Sequence, residues 1–389
     1  MKVSRKVADV EYAIRDVVSA AHKLEAAGRH IDYLNVGDPV QFGFQPPEHV
    51  REALSRAVMD GHNYYTSSEG LPELRDEIAI KEGKKGLGVS ADDVLVTNGI
   101  SEALEMVLDS IVEEGDEVLL PGPYYPPYAS YIRLNGGRPV EFETGPGPGI
   151  DLESVRSKIT PRTVAICIIN PNNPTGYVLG ERALKGLVDL ANEHNLYIIC
   201  DEIYDQITFD DSFAGIGRVA GDSPVILLNG FSKVHLMTGW RLGYIALGPS
   251  KLLDPLRGAL PKLARVRICA NTPVQYAALE SLRGPQGYIQ EFVEKLRERR
   301  DLVVRRLNAM PGISCAKPQG AFYTFPSIDT DRFPSDRDFV MGLLEQKGVL
   351  TVHGSGFGKK YGSGHFRIVY LPDPDMLESA MDRIEEYVS

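Results

Sequence analysis

Three polar side chains closely follow apolar runs of the sequence, at points where a strand is expected to leave a sheet. Asn173 comes shortly after VAICII, Asp201 directly after LYIIC, and Lys233 shortly after VILLN. Ligands of open α/β sheets bind beyond the carboxyl ends of the strands, so we expect these three residues to share a site. A lysine shielded from water loses its proton more easily, and the neutral amine forms Schiff bases with carbonyl compounds. The pattern therefore predicts amine–carbonyl chemistry at Lys233.

Each of these residues also has an ordinary interpretation. Lys233 is alternatively a solvated loop lysine, and Asp201 a helix N-cap. The segment NPNNPTG around Asn173 is alternatively a rigid turn that ends a strand. The coincidence of all three at predicted strand ends favours a shared site over three unrelated features.

The elements that must position these residues are short, β-branched apolar runs that alternate with helix-patterned segments. The predicted strands are Val94–Thr97, Glu117–Leu120, Val164–Ile169, Leu196–Cys200, Val225–Leu228 and Tyr244–Leu247. The predicted helices include Pro47–Met59, Leu71–Lys85, Ser101–Glu113, Glu181–Glu193 and Gln286–Met310. Runs such as VAICII show no polar alternation, as expected of strands covered on both faces. The alternation predicts an α/β fold with a parallel or mixed sheet between helical layers.

Both ends of the chain differ from this central pattern. Tyr12–Gly28 has the pattern of an amphipathic helix and is followed by the predicted strand DYLNV, and a long charged helix near the other end precedes further short strands. We therefore expect a large domain over residues 45–280 and a smaller, discontinuous domain from residues 1–44 and 281–389. Pro261–Ser281 has few helix breakers and is expected to connect the two.

Composition excludes several classes of protein. The 389 residues carry a formal net charge of −11, which provides no global field for a polyanion, so nucleic acid is not an expected partner. No apolar run approaches the roughly 20 residues of a membrane span, and the charged start MKVSRK does not resemble a signal peptide. The 4 cysteines are scattered without a C-x-x-C pair, which suits a reducing compartment. We expect a cytoplasmic protein that is not bound to a membrane.

Motifs of other enzyme classes are missing from the sequence. The glycine-rich run HGSGFGKKYGSG fits neither G-x-x-x-x-G-K-[ST] nor G-x-G-x-x-G, so an ATP or NAD site is unsupported. Neither H-E-x-x-H nor G-x-S-x-G occurs, and the 8 histidines show no metal-ligand spacing. We expect no metal ion in the site.

The run SKVHLMTGWRLGY at 232–244, with NPNNPTG and DEIY before it, resembles the class I/II aminotransferases, which are pyridoxal-phosphate enzymes of fold type I. The resemblance extends from about Leu34 to Leu371, and stretches such as LPGPYYPPY and KPQGAFY are closest to the alanine aminotransferase branch. It implies pyridoxal 5′-phosphate as cofactor. It also implies a large α/β domain with a mostly parallel, seven-stranded-type sheet between helices, and a smaller α+β domain from both chain ends.

The resemblance implies a role for each residue near the cofactor ring. Lys233 forms the Schiff base with the cofactor and then moves a proton to or from the substrate Cα. Asp201 pairs with the pyridinium nitrogen and keeps it protonated. Asn173 and Tyr204 hydrogen-bond the phenolic oxygen of the ring, and Tyr125 stacks on its face.

A phosphate site is implied as well. Arg241 supplies a guanidinium, whose fixed fork suits a dianion, and the start of a helix supplies backbone N–H groups. The other phosphate-binding residues are Gly99, Ile100, Ser101 and Ser232, with Tyr65 reaching the phosphate of the neighbouring subunit in a homodimer. Ser101 is alternatively only the N-cap of its helix.

One position departs from the family pattern. Many members have a serine two residues before Ser232, where this chain has Gly230. The first phosphate-binding hydroxyl is therefore missing, and a backbone N–H or a water must compensate. We interpret Gly230 as a mark of the alanine branch.

Substrate recognition is expected to depend on two arginines. By the resemblance, Arg367 binds the substrate α-carboxylate together with Asn173, and Gly37 lies in the segment that closes over the substrate. The alternative for Arg367 is a strand arginine that points to solvent. Arg15 is expected to swing toward the second carboxylate of glutamate, with Tyr12 one turn away closing the pocket. The alternative for Arg15 is a surface arginine.

Three functions remain open. The first is an aminotransferase that interconverts alanine and pyruvate, with glutamate and 2-oxoglutarate as the other pair. The second is another pyridoxal-phosphate activity on the same scaffold: an aspartate or aromatic aminotransferase, a C–S lyase or a cyclopropane-type synthase. The third is a non-catalytic binding module. A binding module has no need of a Schiff-base lysine, so we expect an enzyme whose partners are amino acids and 2-oxo acids, with alanine as the first expectation.

Overall fold

The structure of the protein, a computed structural model, describes residues 3–8, 13–144, 149–209 and 213–389. Its strands are β1 (Asp32–Tyr33), β2 (Val94–Thr97), β3 (Glu117–Gly122), β4 (Arg138–Glu143), β5 (Thr163–Ile169), β6 (Tyr197–Asp201), β7 (Val225–Gly230), β8 (Gly243–Leu247), β9 (Ile313–Ser314), β10 (Tyr323–Thr324), β11 (Ser327–Ile328), β12 (Val349–Leu350), β13 (Val352–His353) and β14 (Phe366–Val369).

Helices cover most of the remaining described chain. They are α1 (Arg5–Ala8), α2 (Ala13–Asp16), α3 (Val18–Ala26), α4 (Glu48–Met59), α5 (Pro72–Lys84), α6 (Ile100–Ile111), α7 (Pro127–Leu134), α8 (Leu152–Lys158), α9 (Glu181–His194), α10 (Gly217–Ala220), α11 (Asp254–Arg267), α12 (Thr272–Arg283), α13 (Gly287–Ala309), α14 (Asp336–Lys347), α15 (Lys359–Gly362) and α16 (Pro374–Val388). Short 3-10 helices lie at Pro39–Phe42, Ala91–Asp93, Thr238–Trp240, Lys251–Leu253 and Gly354–Phe357.

A 7-stranded sheet in the order β2-β8-β7-β6-β5-β3-β4 forms the centre of the protein. Strand β8 is antiparallel to both of its neighbours, and every other pair in this sheet is parallel. The mostly parallel α/β sheet expected from the sequence is therefore confirmed. All six strands predicted for it are present, with ends that differ by at most a few residues.

The seventh strand, β4, was not predicted from the sequence. Its residues RPVEFE alternate polar and apolar side chains, and only Phe142 is buried. Strand β4 lies at the edge of the sheet and pairs with β3 alone. An edge strand needs no continuous apolar run, so the signal used for the buried strands does not apply to it.

Two apolar cores cover the two faces of this sheet. Along β5, Ala165, Cys167 and Ile169 pack into one core, and Ile166 and Ile168 pack into the other. This alternation is the period-two geometry of a strand that is buried on both sides. It explains why VAICII carries no polar residue.

A third core joins the two ends of the chain. It contains Ala21 of α3, Leu296 of α13 and Tyr370, and strand β1 pairs in parallel with β12 through Asp32 and Val349. Segments near both ends thus pack together beside the central sheet. The exact division into domains at residues 45 and 280 stays a prediction.

The segment Pro261–Ser281, which is expected to connect the two domains, consists mainly of two helices. It falls within α11 and α12, and Val274, Ala277 and Ala278 are buried in the same core as Leu74 of α5. The α11 part of the segment packs through Ala264 into the core on one face of the sheet, and the α12 part packs into the core on the other face. Helix breakers are scarce in this segment because most of it forms two packed helices.

No helix in the described part of the chain combines the length and the apolar character that a bilayer span requires.

Candidate active site

The carboxyl ends of three adjacent parallel strands bring the predicted residues together. Strands β5, β6 and β7 are neighbours in the sheet. Asp201 is the last residue of β6, Asn173 lies in the turn after β5, and Lys233 lies in the turn after β7. The three residues therefore lie at the same edge of the sheet, as a shared site requires.

Lys233 lies inside the site. Its Nζ donates a hydrogen bond to the carbonyl oxygen of Gly37 at 2.6 Å and is 5.8 Å from the ring centroid of Phe322. Burial of the amine lowers the pKa of Lys233 from 10.5 to about 8; Arg241 and Arg367 lower it further, while Asp38 and Asp201 oppose the change. The side chain is not a solvated loop lysine, and its amine loses a proton more readily near neutral pH than a solvated lysine does.

Asp201 is buried and holds two hydrogen bonds. Its Oδ2 accepts from the hydroxyl of Tyr128 at 2.7 Å, and its Oδ1 accepts from the backbone N–H of Ile203 at 3.0 Å. A turn rather than a helix follows β6, so the interpretation of Asp201 as a helix N-cap is wrong. Burial raises the pKa of Asp201 to about 6, against the two hydrogen bonds, which lower it. A cation beside this carboxylate would stabilise its charged form.

Arg367 and Asn173 form a buried pair. The Nη1 of Arg367 donates to the Oδ1 of Asn173 at 3.0 Å, and its Nη2 donates to the carbonyl oxygen of Asn35. The guanidinium carbon lies 4.6 Å from the ring centroid of Tyr323 and 4.8 Å from that of Phe357. Arg367 is 1% exposed, so it does not point to solvent. A buried, oriented guanidinium is suited to bind a carboxylate.

Tyr204 and Tyr323 connect the turn after β6 to strand β10. Their hydroxyl oxygens lie 2.9 Å apart, and both residues are buried. The backbone of Gly37 passes so close that a Cβ there would lie 2.2 Å from the hydroxyl oxygen of Tyr323. Only glycine permits this approach to Tyr323; the expected closure of Gly37 over the substrate stays a prediction.

The start of α6 and Arg241 form a cationic cradle. Gly99 is the N-cap of α6 with φ of 83°, and a Cβ on it would lie 2.4 Å from the Nη2 of Arg241. The Nη1 of Arg241 donates to the hydroxyl of Ser232 at 3.4 Å. Ile100 is half-buried and Ser101 is exposed. The guanidinium thus lies against free N–H groups of a helix N-terminus, which is an anion site.

The alternative role of Ser101 as an N-cap is wrong, because Gly99 occupies that position. The carboxylate of Glu102 binds at the start of the helix instead. It accepts a hydrogen bond from the backbone N–H of Asn98 at 2.7 Å and one from the guanidinium of Arg267 at 2.7 Å. Ser101 is therefore left exposed at the cradle.

The structure explains the departure from the family pattern at Gly230. A Cβ at this position would lie 2.9 Å from the Cα of Gly243 and 2.9 Å from the carbonyl oxygen of Leu242. Strands β7 and β8 pair through Gly230 and Gly243. A serine does not fit here without moving the backbone of β8.

A protein-family model for aminotransferase class I and II matches residues 31–384, most of the chain. The chain belongs to the class I and II aminotransferases. Among relatives of this aminotransferase, the glutamate-pyruvate aminotransferase AlaA of Escherichia coli strain K12 is 37% identical, over 99% of this chain and 97% of that protein.

Solved structures of aminotransferases show the same fold. The alanine aminotransferase from Pyrococcus furiosus is 48% identical with a TM-score of 0.97, and the match covers 100% of this chain and 99% of that one. The aspartate aminotransferase from Thermus thermophilus with maleate is 35% identical with a TM-score of 0.90, and the match covers 99% of each chain.

Aminotransferases of this family use pyridoxal 5′-phosphate, and the residues present fit that cofactor. The cradle at Gly99 and Arg241 suits its phosphate, because it combines a guanidinium with a helix N-terminus. The buried carboxylate of Asp201 suits a protonated ring nitrogen. The amine of Lys233 suits its aldehyde, because the lowered pKa makes the neutral form accessible.

The remaining predicted residues of this aminotransferase differ in how exposed they are. Tyr125 is half-buried, and Tyr65 is 77% exposed. Arg15 is exposed on α2, whose Ala13 is buried in a small core. Tyr12 lies outside the described residues, so its expected place at the pocket stays a prediction.

Four residues that contact the site residues were not singled out from the sequence. They are Tyr128, Tyr323, Asp38 and Thr238, and Thr238 donates its hydroxyl proton to the Oδ1 of Asp38 at 2.7 Å. Tyr128 and Tyr323 occur within the family-like stretches LPGPYYPPY and KPQGAFY, so a signal existed for both. For Thr238 only its place in the TGW run pointed to the site.

Proposed function

We propose that this aminotransferase moves an amino group between alanine and 2-oxoglutarate, giving pyruvate and glutamate. The observation that carries the proposal is that one site contains both the buried guanidinium of Arg367 and the amine of Lys233, whose pKa is lowered. The names of the relatives support the choice of alanine and glutamate as substrates.

Lys233 is proposed to move the proton at the substrate Cα. Pyridoxal phosphate, when bound, supplies a ring that withdraws electrons from that carbon. With its pKa near 8, Lys233 can accept a proton at neutral pH and return it. Its tether beside the site replaces a collision in solution by a step within one complex, which lowers the entropic barrier.

Asp201 and Arg241 are proposed to hold the two ends of the cofactor. The Asp201 carboxylate is fixed by Tyr128 and Ile203 and so presents a directed negative charge to a protonated ring nitrogen. Arg241, with Ser232 and the N-terminus of α6, provides the positive end. Asn173 and Tyr204 are proposed as donors to the phenolic oxygen and Tyr125 as the ring that stacks on the face.

Arg367 is proposed to orient the substrate through its α-carboxylate. Asn173 and the backbone of Asn35 fix the guanidinium plane, and the rings of Tyr323 and Phe357 lie within cation–π distance of it. A carboxylate bound in this way holds the substrate Cα in a set position. Gly37 is proposed to bring its backbone over the bound substrate.

The proposed function predicts a clear order of substrates. Purified protein loaded with cofactor should convert L-alanine and 2-oxoglutarate to pyruvate, measured with lactate dehydrogenase as the coupling enzyme. L-Aspartate, measured with malate dehydrogenase, and L-tyrosine serve as comparison donors. A higher kcat/KM for either of these than for alanine would contradict the proposal. Formation of more than one equivalent of oxo acid per subunit without any acceptor, from an amino acid with a leaving group at Cβ, would indicate a lyase.

Arg15 is proposed to bind the second carboxylate of glutamate and 2-oxoglutarate. Its helix is anchored beside the site, because the carbonyl oxygen of Ile14 accepts from the side-chain amide of Asn35, whose backbone also binds Arg367. Arg15→Ala should raise KM for 2-oxoglutarate at least about tenfold, the value of one charge-assisted hydrogen bond, and leave KM for pyruvate nearly unchanged. Lys23→Ala removes an exposed cation from α3 as the control. Equal effects on both acceptors would contradict the role.

A homodimer with Tyr65 acting across subunits is proposed on the exposure of its region. Tyr65 is 77% exposed, Tyr64 55% and Val266 84%, and Thr272 donates to the carbonyl oxygen of Tyr64, which brings the two segments together. Apolar side chains clustered in this way commonly mark an interface.

Subunit mixing tests this proposal. Tyr65→Ala and Lys233→Ala dimers should each be nearly inactive at limiting cofactor. After exchange of subunits, hybrids should restore activity to about a quarter of the sites, because each hybrid has one site with both residues. No recovery, in hybrids verified by mass, would show that Tyr65 does not act across subunits.

A cytoplasmic location is also proposed. The described chain contains Cys167, Cys200, Cys269 and Cys315 as free thiols, which a reducing compartment preserves.

A further inference from the structure

Five charged side chains meet behind the strand ends that carry the site. Lys81 and Glu82 belong to α5, Lys85 follows it directly, and Glu202 and Asp205 lie in the turn after β6. The side chains of the three acids are at most 1% exposed, and those of the two lysines are 16% and 18% exposed. We name this group the buried ion cluster.

Asp205 lies at the centre of the cluster. Its Oδ2 lies 2.9 Å from the Nζ of Lys81 and 2.9 Å from the Nζ of Lys85. It also accepts from the side-chain amide of Asn229 at 2.9 Å. The Oδ1 of Asn229 in turn accepts from the backbone N–H of Gly230 at 2.7 Å. Asp205 therefore connects α5 to the end of β7, from which the chain leads to Lys233.

The other two acids differ in the number of cations they meet. Glu82 lies 3.2 Å from the Nζ of Lys81 and 2.7 Å from that of Lys85, and it accepts from the hydroxyl of Tyr244. Glu202 meets Lys85 alone, at 2.7 Å, and accepts from the backbone N–H of Ile216 at 2.7 Å. Glu202 is thus the acid with the least support for its charge.

The cluster carries three carboxyl groups against two ammonium groups, which leaves one carboxylate unmatched. Contacts identify Glu202 as the carboxyl group whose charge has the least compensation. The pKa directions agree: burial raises the pKa of Glu202, whereas the two lysines, against burial, lower the pKa of Asp205 and of Glu82. The cluster therefore has a charge that depends on Glu202.

The cluster and the carboxylate of Asp201 lie on opposite faces of the sheet. Cys200, next to Asp201 and with its Sγ 3.8 Å from Glu202, belongs to one core. Ile199 belongs to the other core, on the side from which Tyr128 reaches Asp201. Glu202 follows Asp201 directly, so its charge acts on Asp201 across the sheet and raises the pKa of that carboxyl.

Stability alone is a weak reason to bury five charges. Desolvation of a buried ion pair is costly, and apolar side chains of the same volume are often at least as stabilising. A positional role gives a better account, because the cluster includes two residues of the turn that follows Asp201 and contacts Asn229 near the end of β7, which leads to Lys233.

We propose that the buried ion cluster is a positioning device for catalysis. It holds the ends of β6 and β7 in fixed relation and supplies a background charge behind Asp201. Its members touch neither substrate nor cofactor and act through Asp201 and Lys233. This inference rests on the proposed function, since it concerns how the aminotransferase site is tuned.

Other charged groups face the two residues on which the cluster acts. Asp38, Arg241, Arg367 and Asp201 surround Lys233. Tyr128, Glu202 and Lys233 surround Asp201. His235 is buried next to the cluster, where burial and Lys81 lower its pKa to about 3, so it is neutral near neutral pH and adds no charge.

A pair of lysine variants on one helix tests the proposal. Lys85→Met removes a cation from the cluster, whereas Lys84→Met removes the same charge from the adjacent, exposed position. The pH midpoint of the visible absorption of cofactor-loaded protein should rise by about half a pH unit in Lys85→Met, because loss of a cation favours the protonated form of the nitrogen that Lys233 contributes. Lys84→Met should keep the parent midpoint. Lys85→Arg, which retains the cation, should have a midpoint close to that of the parent.

Cofactor affinity of the apoprotein gives a second readout that needs no turnover. Quenching of Trp240, the only tryptophan of the chain and the neighbour of Arg241, should show weaker cofactor binding in Lys85→Met by a few-fold. A lower Tm with an unchanged midpoint and unchanged affinity would overturn the proposal, as would equal midpoint shifts in Lys84→Met and Lys85→Met.

A change of the opposite sign covers the case in which Lys85→Met does not fold. Glu202→Gln keeps the size of the side chain and removes negative charge, so the midpoint should fall below the parent value, and an unchanged midpoint would count against the proposal. A rise would overturn the proposal. The parent protein is assayed for alanine turnover in parallel, so failure of the proposed function and failure of the cluster are distinguishable.

Discussion

Lys233→Ala should abolish transamination, lowering kcat by at least about 10³-fold, since a positioned acid–base group contributes roughly 10²–10⁴-fold and this lysine also holds the cofactor. The visible absorption band of lysine-bound pyridoxal should disappear from the purified protein. The reason is geometric. The Nζ of Lys233 lies 2.6 Å from the carbonyl oxygen of Gly37 inside the site, and a lysine elsewhere on the chain would have to reach the same position to take over its role. Stopped-flow or steady-state rates and an absorption spectrum measure both effects.

A lysine outside the site provides the control for this prediction. Lys262→Ala changes an exposed residue of α11 and should leave spectrum and rate unchanged. Retained turnover in Lys233→Ala, with the protein folded by circular dichroism, would rule out the role of Lys233.

Asp201→Asn should separate stability from activity. Removing the negative charge should lower kcat by about 10²–10³-fold, the usual effect of losing one preorganised electrostatic group. The amide is able to keep both local hydrogen bonds, because it can accept from the N–H of Ile203 and donate to the oxygen of Tyr128. The protein should therefore stay folded and still bind the cofactor phosphate at Arg241.

The same substitution should stabilise the cofactor-free protein at high pH. Burial raises the folded-state pKa of Asp201 from 3.8 to about 6, so the folded chain binds more protons than the unfolded chain between these values. Its stability therefore falls as pH rises through this window, and the loss is complete above about pH 6. A change from 3.8 to about 6 corresponds to about 3 kcal/mol, which Asn does not incur.

Melting of the apoprotein at two pH values measures this effect. Asp201→Asn should melt above the parent at pH 8 and close to it at pH 4, where the parent carboxyl is mostly protonated. An Asp201→Asn protein with unchanged kcat, or with a Tm advantage that is the same at both pH values, would contradict the assignment of Asp201 as a buried charge kept for catalysis.

Sequence patterns were enough to group the three candidate residues, because each of them follows an apolar strand closely. The runs before Asn173, Asp201 and Lys233 are buried on both faces, and polar residues that follow such runs are conspicuous. The edge strand β4 gave no such signal, because its alternating side chains are those of a partly exposed strand.

Contacts between distant segments are what the sequence could not give. Tyr128 binds Asp201 from 73 positions away, and Arg367 binds Asn173 from 194 positions away. Each partner looks ordinary within its own segment. The helix N-cap proposed for Asp201 and the solvent-facing strand arginine proposed for Arg367 are both reasonable local readings, and only the tertiary packing excludes them.

The contact between Asn35 and Arg367 has a consequence for how the protein is made. Residues separated by 332 positions share one hydrogen bond, and β1 is paired with β12 rather than with a strand nearer in sequence. A nascent chain emerging from the ribosome can assemble the central sheet early, but β1 has no strand to pair with until β12 has been synthesised. Early apolar residues such as Ile31 and Leu34, both buried in the third core, remain exposed for that interval, and chaperone dependence of expression should concentrate there.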